Sequence, residues 1–228
     1  MINGKHCCVK CIFAQNRNSL YKVKEIYYTL QGEGFHAGRP AVFLRFAGCN
    51  LWSGREEDRA QAVCDFCDTD FRGTDGPLGG SYSKEELAAL ISGLWPVASM
   101  DQAFVVCTGG EPLLQLDEEL INAFQGVGFQ VAVETNGTIK APKNLDWVCV
   151  SPKAGSQLVQ REGHELKLVY PQSGIQPEEV QHWTFDYFYL QPMESEQWDD
   201  NTKATIEYCK LHPQWRLSAQ THKYLGIP

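Results

Sequence analysis

The stretch AFVVCTGGEP, residues 103–112, is a short apolar run that ends in a glycine-rich polar turn. A run of this length beside turn residues is typical of a buried strand. The pattern recurs downstream, each time with polar residues at its end: QVAVETNG (130–137), DWVCVSPK (146–153), HELKLVYP (164–171) and FDYFYLQPM (185–193). Two further strands are predicted upstream, separated by the glycine-rich QGEGFHAGRP (31–40): VKEIYYTL (23–30) and AVFLRFAG (41–48).

Helical segments lie between several of these runs. SKEELAALISGLW (83–95) has Ser83 as its predicted N-cap, and Glu86 three residues later completes a capping box. DEELINAFQGVG (117–128) and NTKATIEYCKLH (201–212) are also predicted helices. Strands that alternate with helices predict a parallel α/β sheet. Because some connections are too short for a helix, we predict an incomplete TIM-like (β/α) barrel with its chemistry at the carboxyl ends of the strands.

The bulk composition limits the possible functions. The chain has 228 residues, enough for one domain, and its formal net charge of −8 argues against general binding to nucleic acid or to anionic membranes. Its apolar runs are shorter than a membrane span of about 18 residues, and its start lacks the apolar core of a signal peptide. We therefore expect a cytoplasmic protein. Residues 1–20 are polar and without pattern, so a disordered leader is predicted before one domain at 21–228.

Three cysteines lie in CNLWSGREEDRAQAVCDFCDTDF, residues 49–71, with fourteen residues between the first two and two between the last two. Cytosolic thiols are kept reduced, so clustered cysteines there bind metal more often than they form disulfides. A structural zinc site needs four ligands, usually in two pairs. The other Cys-x-x-Cys pair, Cys8 and Cys11, lies far upstream in the leader, and a zinc site that used it would leave Cys49 without a role.

A four-iron four-sulfur cluster explains these cysteines better than zinc does. Such a cluster normally takes four thiolates, and no fourth cysteine is nearby. Three ligands leave one iron open, and an open position separates a catalytic metal centre from a structural one. Residues 50–63 are charged and predicted to be partly helical, so they can loop outward without altering the three ligands. The isolated Cys107, Cys149 and Cys209 lie in apolar surroundings and are predicted to be small buried hydrophobes.

Two motifs make the chain similar to a known superfamily. The Cys-x-x-Cys pair, with Phe66 before its second cysteine, and TGGEP (108–112) resemble the radical S-adenosylmethionine enzymes, most of which place three residues between their first two cysteines. A longer ordered set resembles the 7-carboxy-7-deazaguanine synthases, a family with an expanded-spacing subset: YTLQGEG (28–34), RFAGCNLW (45–52), CDFCDTDF (64–71), VCTGGEP (106–112), ETNG (134–137), SPK (151–153) and THKYLGIP (221–228). The resemblance covers residues 21–228.

This resemblance implies an activity and its cofactors. Members of the family are carbon–nitrogen lyases that convert 6-carboxy-5,6,7,8-tetrahydropterin to 7-carboxy-7-deazaguanine with loss of ammonia, on the route to deazapurines such as queuosine. The implied cofactors are a four-iron four-sulfur cluster on three cysteines, S-adenosylmethionine and Mg²⁺. The cofactors carry out the radical chemistry, while the protein positions and shields the substrate. A flavodoxin or ferredoxin as reductant and a homodimer are also implied.

The resemblance assigns roles to residues at the predicted strand ends. Cys49, Cys64 and Cys67 are the expected cluster ligands, with Phe66 beside the cofactor. Residues of the glycine turn and of later strand ends are expected to hold S-adenosylmethionine: Gly109, Gly110, Glu111, Glu134, Ser151, Lys153 and Gln191. Magnesium is a hard ion that keeps several waters and takes few protein oxygens, so Thr69 is its expected ligand, with Asp68 as a second candidate.

Arg45 interrupts an apolar predicted strand, and a buried charge requires a partner. That partner is either an internal carboxylate or the carboxylate of the substrate. We expect the substrate, because a guanidinium binds a carboxylate through two parallel hydrogen bonds. The other expected substrate contacts lie in the QGEG turn, before the glycine pair and at the chain end: Gln31, Glu33, Gly34, Thr108, His222 and the terminal carboxylate of Pro228.

Two other functions remain open at this point. One is a radical enzyme that activates a glycyl-radical partner protein, which would leave Arg45 and the QGEG turn without a role. The other is a zinc-stapled α/β binding module without enzyme activity. The sequence identifies neither the electron donor nor the fate of the product, and it assigns no role to Cys7, Cys8 and Cys11.

Overall fold

The computed structural model of the chain describes residues 20–228. Apart from Leu20, the predicted leader lies outside the described residues, and Cys7, Cys8 and Cys11 lie there with it. Among the helices of residues 20–228, none combines the length and the apolar composition that crossing a membrane requires.

The central feature is one nine-stranded sheet in the order β3-β1-β2-β4-β5-β6-β7-β8-β9, which does not close into a barrel. Its strands are β1 (Tyr21–Leu30), β2 (Pro40–Phe46), β3 (Gly80–Tyr82), β4 (Phe104–Gly109), β5 (Gln130–Thr135), β6 (Trp147–Val150), β7 (Glu162–Tyr170), β8 (Thr184–Pro192) and β9 (Trp215–Leu217). From β2 to β9 along the sheet, all neighbouring strands are parallel. The predicted incomplete barrel is therefore confirmed.

The first strand departs from the predicted parallel arrangement. β1 pairs antiparallel with β2, and β3 pairs antiparallel with the start of β1. The reason is the length of the connection, because residues 31–39 are too few for the crossover that a parallel pair requires. The short strands β3 and β9 were not indicated by the sequence pattern.

Within residues 20–228, five α-helices complete the fold: α1 (Lys84–Leu94), α2 (Glu118–Gly126), α3 (Pro177–Val180), α4 (Trp198–Leu211) and α5 (Thr221–Leu225). The predicted capping box at α1 is present. The Ser83 hydroxyl accepts from the Glu86 amide at 3.3 Å, and the Ser83 amide donates to the Glu86 carboxylate at 2.7 Å. The connections from β5 to β6 and from β6 to β7 contain no helix among the described residues, as expected for an incomplete barrel.

The hydrophobic core fixes the sheet against α1 and α2. It contains fully buried side chains from the strands and from both helices, including Phe46, Phe104, Ile91 and Phe124. A smaller cluster packs around β7, β8 and β9, with Leu166, Leu190 and Trp215 among its members. Cys107 and Cys149 are buried as predicted, whereas Cys209 is only partly buried.

The parallel strands bring several polar turns to one edge of the sheet. β2, β4, β5 and β6 end at Phe46, Gly109, Thr135 and Val150, directly before the turns that the sequence analysis singled out. Parallel strands that end side by side place their following turns next to one another, which is where ligands bind in such folds.

The capping box predicts a measurable contribution to stability. We expect Ser83→Ala to lower the free energy of unfolding by about 1 kcal/mol, because it removes an acceptor for a helix N-terminal amide. Urea unfolding followed by circular dichroism measures this change. Ser92→Ala is the matched control, since the Ser92 hydroxyl only bonds back to the Ala88 carbonyl of the same helix. An equal loss in both variants would contradict the assignment.

Candidate active site

A cavity of about 590 Å³ opens at the carboxyl ends of the strands. It is lined by turns that follow β2, β4, β5 and β6, by the ends of β7 and β8, and by the last residues of the chain. Most of the predicted site residues share this cavity, although they are spread over the sequence from Gln31 to Pro228. The exceptions among the predicted residues are Gly34 and Glu111.

Three free thiols, those of Cys49, Cys64 and Cys67, line the cavity. Cys49 follows β2, and the other two lie in an irregular loop that returns to β2 through a hydrogen bond from the Gly48 amide to the Phe71 carbonyl at 3.1 Å. Within residues 20–228, no three His, Cys, Asp or Glu side chains converge closely enough to ligate one metal ion. A four-iron cube instead takes its thiolates at separate corners, and a trio of thiols around one cavity fits that requirement.

Gly109 and Gly110 allow the ends of β2 and β4 to approach closely. A Cβ atom at Gly110 would lie 2.7 Å from the Cys49 Cβ and would also collide with the Gly48 carbonyl oxygen. At Gly109, φ is 154°, and a Cβ there would lie 2.5 Å from the Phe46 carbonyl oxygen. Only glycine fits such positions. These two residues therefore place bare backbone beside the first cysteine of the predicted cluster.

Glu111 has a structural role in this geometry and does not reach the cavity. It is fully buried, and both carboxylate oxygens are occupied: one accepts from the Leu113 amide and the Thr135 hydroxyl, the other from the Asn136 amide at 2.8 Å. Burial raises the pKa of this carboxyl. Its placement does not support the expected contact between Glu111 and S-adenosylmethionine, because the side chain instead joins the glycine turn to β5.

Lys153 is a buried cation next to the thiols. Its Nζ donates to the Ser151 hydroxyl at 2.7 Å and to the Ser151 carbonyl at 2.8 Å, and it lies 5.9 Å from the centre of the Phe66 ring. Burial lowers the pKa of Lys153, and it forms no ion pair with an acidic residue of the described chain. A buried cation of this kind attracts an anionic ligand.

The other part of the cavity contains an ion cluster that the sequence analysis missed. Lys167 of β7 lies between two carboxylates, with its Nζ 2.5 Å from Glu33 and 3.3 Å from Glu134. Gln191 and Gln220 donate to Glu33 at 3.2 Å and 2.9 Å, and Gln31 donates to Glu134 at 3.1 Å. A signal was available, since Lys167 interrupts an apolar strand in the same way as Arg45 does.

The cluster keeps Glu33 charged inside the protein. Burial by itself would raise the pKa of Glu33, but the nearby Lys167 ammonium and the hydrogen bonds from Lys167 and Gln220 outweigh it, so the pKa is lowered. Burial by itself would lower the pKa of Lys167, but the nearby Glu134 and Glu33 carboxylates outweigh it and raise the pKa of Lys167 well above its usual value. Both partners are therefore ionised at neutral pH.

Arg45 has the internal carboxylate partner that the sequence analysis weighed as the alternative. Its Nε donates to Glu25 at 2.8 Å, and its Nη2 donates to the Tyr27 hydroxyl at 3.0 Å. Glu25 was not singled out from the sequence. Arg45 nevertheless lines the cavity, and its Nη1 makes no hydrogen bond with the described residues. One face of the guanidinium is thus left for a ligand.

The loop after the last cysteine is tied to the chain end. Asp68 pairs with Lys223 of α5 at 2.7 Å, and Lys223 also pairs with Glu194. The Thr69 hydroxyl lies 3.4 Å from the Asp68 carboxylate, and both residues line the cavity. Asp68 therefore holds the loop to α5 rather than standing free as a second magnesium ligand, and Thr69 is left as the hydroxyl facing the ligand space.

The remaining predicted substrate residues divide into two groups. Thr108, His222 and Pro228 line the cavity, and the Pro228 carbonyl oxygen accepts from the Thr29 hydroxyl at 3.0 Å. Gly34 lies behind it, where its amide donates to the Ser218 hydroxyl at 3.0 Å and a Cβ would collide with the Glu165 carboxylate. Gly34 therefore supports the turn through its own backbone and does not face the ligand space.

Known proteins resemble this chain closely in sequence. No protein-family model matches the chain. The chain is 63% identical to 7-carboxy-7-deazaguanine synthase of Bradyrhizobium diazoefficiens over 91% of its own length and 99% of the relative's. It is 60% identical to the enzyme of the same name from Burkholderia multivorans, with the same coverage.

A solved structure is similar as well. The crystal structure of QueE from Escherichia coli matches with a TM-score of 0.63 and 26% sequence identity, covering 88% of this chain and 93% of that one. The sequence matches extend over almost the whole length of the relatives, and the structural match extends over most of both chains. This chain belongs to the 7-carboxy-7-deazaguanine synthase family.

Proposed function

We propose that this chain is a radical S-adenosylmethionine enzyme that converts 6-carboxy-5,6,7,8-tetrahydropterin to 7-carboxy-7-deazaguanine with loss of ammonia, in queuosine biosynthesis. One observation carries the proposal: three free thiols open into the same cavity as a buried group of carboxylates, amides and cations. The thiols suit a cluster, and the polar group suits a heterocycle rich in N–H and C=O groups. Family membership supports the same reaction.

The thiol end is the proposed cofactor site. Cys49, Cys64 and Cys67 are the proposed ligands of a four-iron four-sulfur cluster, which three thiolates hold with one iron position left open. Bound cluster and S-adenosylmethionine supply the radical chemistry of the reaction. Gly109 and Gly110 give close access to backbone, and the buried charge of Lys153 suits an anionic group. Ser151 orients that lysine through two hydrogen bonds.

The ion cluster is the proposed site of the pterin ring. The carboxylates of Glu33 and Glu134 accept from N–H groups, and Gln31 offers both a donor and an acceptor, which matches the alternating edge of a pterin. Glu134, which the resemblance assigns to S-adenosylmethionine, is thus grouped with the substrate contacts in this proposal. Arg45, with its free Nη1, is the proposed partner of the substrate carboxylate. Substrate carboxylate and amide groups would thus be bound by fixed partners that need no reorganisation.

The chain end closes the proposed substrate site, together with Thr108, His222 and Pro228, which line the same cavity. Thr69 is the proposed protein ligand of Mg²⁺, which takes few protein oxygens and completes its shell with water and substrate oxygens. Asp68 is engaged with Lys223, so it supports Thr69 and does not compete for the ion. A flavodoxin-type or ferredoxin-type reductant, a homodimer and a cytoplasmic location belong to the same proposal.

The direct test is an anaerobic assay of the reconstituted full-length chain with the carboxypterin, S-adenosylmethionine, a reductant and Mg²⁺. We expect the ring-contracted product by mass spectrometry, together with released ammonia, and a lower rate when Mg²⁺ is omitted. Brown protein that cleaves S-adenosylmethionine but leaves the pterin unchanged would instead favour an activator of a glycyl-radical protein. Colourless protein that contains zinc would favour a binding module.

The ion cluster predicts a pH effect. Lys167→Met removes the ammonium that holds the pKa of Glu33 low, so burial then raises that pKa. A protonated Glu33 cannot accept from a substrate N–H, and its protonated fraction grows as pH falls. We therefore expect the acidic limb of the kcat/KM profile to move to higher pH, with a loss of about tenfold near pH 7, equivalent to about 1.4 kcal/mol.

Lys140→Met is the matched control for this variant, because Lys140 is exposed and pairs with exposed Glu162. We expect its pH profile to coincide with that of the unsubstituted chain. If Lys167→Met also kept that profile while its kcat/KM was unchanged, Glu33 would not be held ionised by Lys167, and the proposed substrate site would lose its main support.

A further inference from the structure

The long segment between the first two cysteines is a folded part of the site. Residues Glu56–Gln61 form a 3₁₀ helix, and Arg59 projects from it towards the loop of the other two cysteines. The Arg59 Nη1 donates to the Asp65 carbonyl at 2.8 Å and to the Cys67 carbonyl at 3.1 Å. The sequence predicts a partly helical segment that loops outward from the ligands, whereas in the structure the segment bonds directly to the Cys-x-x-Cys turn.

Arg59 is fixed on its other side by an aromatic ring. Its guanidinium carbon lies 4.1 Å from the centre of the Trp52 ring, and Trp52 packs edge-on against the fully buried Phe71. The Trp52 Nε1 donates to the Arg55 carbonyl at 3.1 Å, which ties the segment to the same ring. The Arg59 side chain is 29% exposed, compared with 58% for the neighbouring Arg55.

The surface ion pair of Arg59 does not explain this arrangement. Its partner Glu56 is 77% exposed, and exposed ion pairs contribute little to stability. The contacts with the two backbone carbonyls and with the Trp52 ring, by contrast, require an arginine. A planar guanidinium can stack on a ring and donate hydrogen bonds at the same time, which the ammonium of a lysine cannot do. These contacts therefore indicate that the main effect of Arg59 is to hold the Cys-x-x-Cys turn in place.

The carbonyl contacts have a consequence for the turn itself. In a trans peptide the C=O and the following N–H point in opposite directions. When Arg59 holds the Asp65 carbonyl, the Phe66 amide therefore faces away from Arg59, and it donates to no acceptor within residues 20–228. The Arg59 guanidinium therefore lies on the carbonyl side of the Cys64–Cys67 turn, and the Phe66 amide points to the opposite side.

We propose that Arg59 is a positioning residue for the cluster: it holds the Cys64–Cys67 turn in its ligating shape and raises the cluster's reduction potential. The inference rests on the proposed function, since it presumes a cluster on these cysteines. Reduction adds negative charge, and a fixed cation nearby stabilises the reduced form. The expanded spacing then has a purpose, because a three-residue connection would contain no such arginine.

The test compares Arg59→Gln, Arg59→Lys and the control Arg55→Gln in the full-length, anaerobically reconstituted chain. Three quantities are measured: iron per chain, the rate at which a chelator extracts iron, and the midpoint potential from a redox titration followed by electron paramagnetic resonance. Arg55 belongs to the same segment, but its guanidinium only pairs with exposed Glu57 at 3.5 Å. An effect seen in the Arg59 variants but not in Arg55→Gln is therefore due to the contacts of Arg59 with the turn, and not to the loss of any positive charge from this segment.

For Arg59→Gln we expect faster extraction of iron and a midpoint potential that is more negative, by about 59 mV if the equilibrium constant for one-electron reduction falls tenfold. Arg59→Lys keeps the charge but lacks the fork, so we expect fast extraction with a potential close to that of the unsubstituted chain. Arg55→Gln should match the unsubstituted chain in both measurements. If Arg59→Gln takes up no iron while its unfolding curve is unchanged, that result also supports the positioning role.

Unchanged extraction and unchanged potential in Arg59→Gln would overturn the inference, and so would extraction from Arg59→Lys at the unsubstituted rate. These outcomes are distinct from failure of the proposed function. If the proposed function failed because no cluster binds, the unsubstituted chain itself would contain no iron, and none of the three comparisons could begin. If it failed because the cluster-containing chain leaves the pterin unchanged, all three comparisons could still be made.

Discussion

One buried cation constrains the whole site: Lys167, placed between the carboxylates of Glu33 and Glu134. A buried charge that loses its partner costs the fold several kcal/mol, about 3–5 kcal/mol in typical cases. β7 can therefore bury Lys167 only if the β1–β2 turn and the end of β5 both reach it. Gln191 and Gln220 attach β8 and the chain end to the same carboxylate. Since the sheet does not close, these polar links hold its far strands to its first turn.

The two ends of the cavity divide the chemistry. At one end lie three thiols, the proposed cluster ligands, and the buried Lys153 ammonium. At the other lie the ion cluster and Arg45, whose donors and acceptors are the proposed partners of the pterin ring. Glu111 connects the ends from behind, because its buried carboxylate joins the glycine turn to β5. Arg59 is proposed to act in a similar way from outside the cavity. Its side chain does not line the cavity, but it holds the backbone of the turn that contains Cys64 and Cys67.

Local patterns predicted much of the fold. The strands, the capping box at Ser83 and the glycine pair were predictable, because each depends on neighbours within a few residues. What the sequence did not indicate depends on residues that meet only in space. Lys167 and Glu33 are 134 positions apart, and nothing local shows that they pair. The pairing of Arg45 with Glu25 and the hydrogen bonds that occupy the Glu111 carboxylate were not predictable for the same reason, because those partners also meet only in the folded chain. The antiparallel β1 was predictable in principle from its short connection, yet the alternation of strands and helices pointed to a parallel sheet.

The central claim is that three cysteines hold a four-iron cluster and leave one iron for S-adenosylmethionine. The most direct test is Mössbauer spectroscopy of anaerobic protein reconstituted with the Mössbauer-active isotope of iron. Spectra are recorded with and without S-adenosylmethionine. The account predicts that about one quarter of the iron signal shifts when S-adenosylmethionine is added, because only the iron without a cysteine ligand changes its coordination. A spectrum that does not respond to the cofactor, or protein that holds no iron, would contradict it.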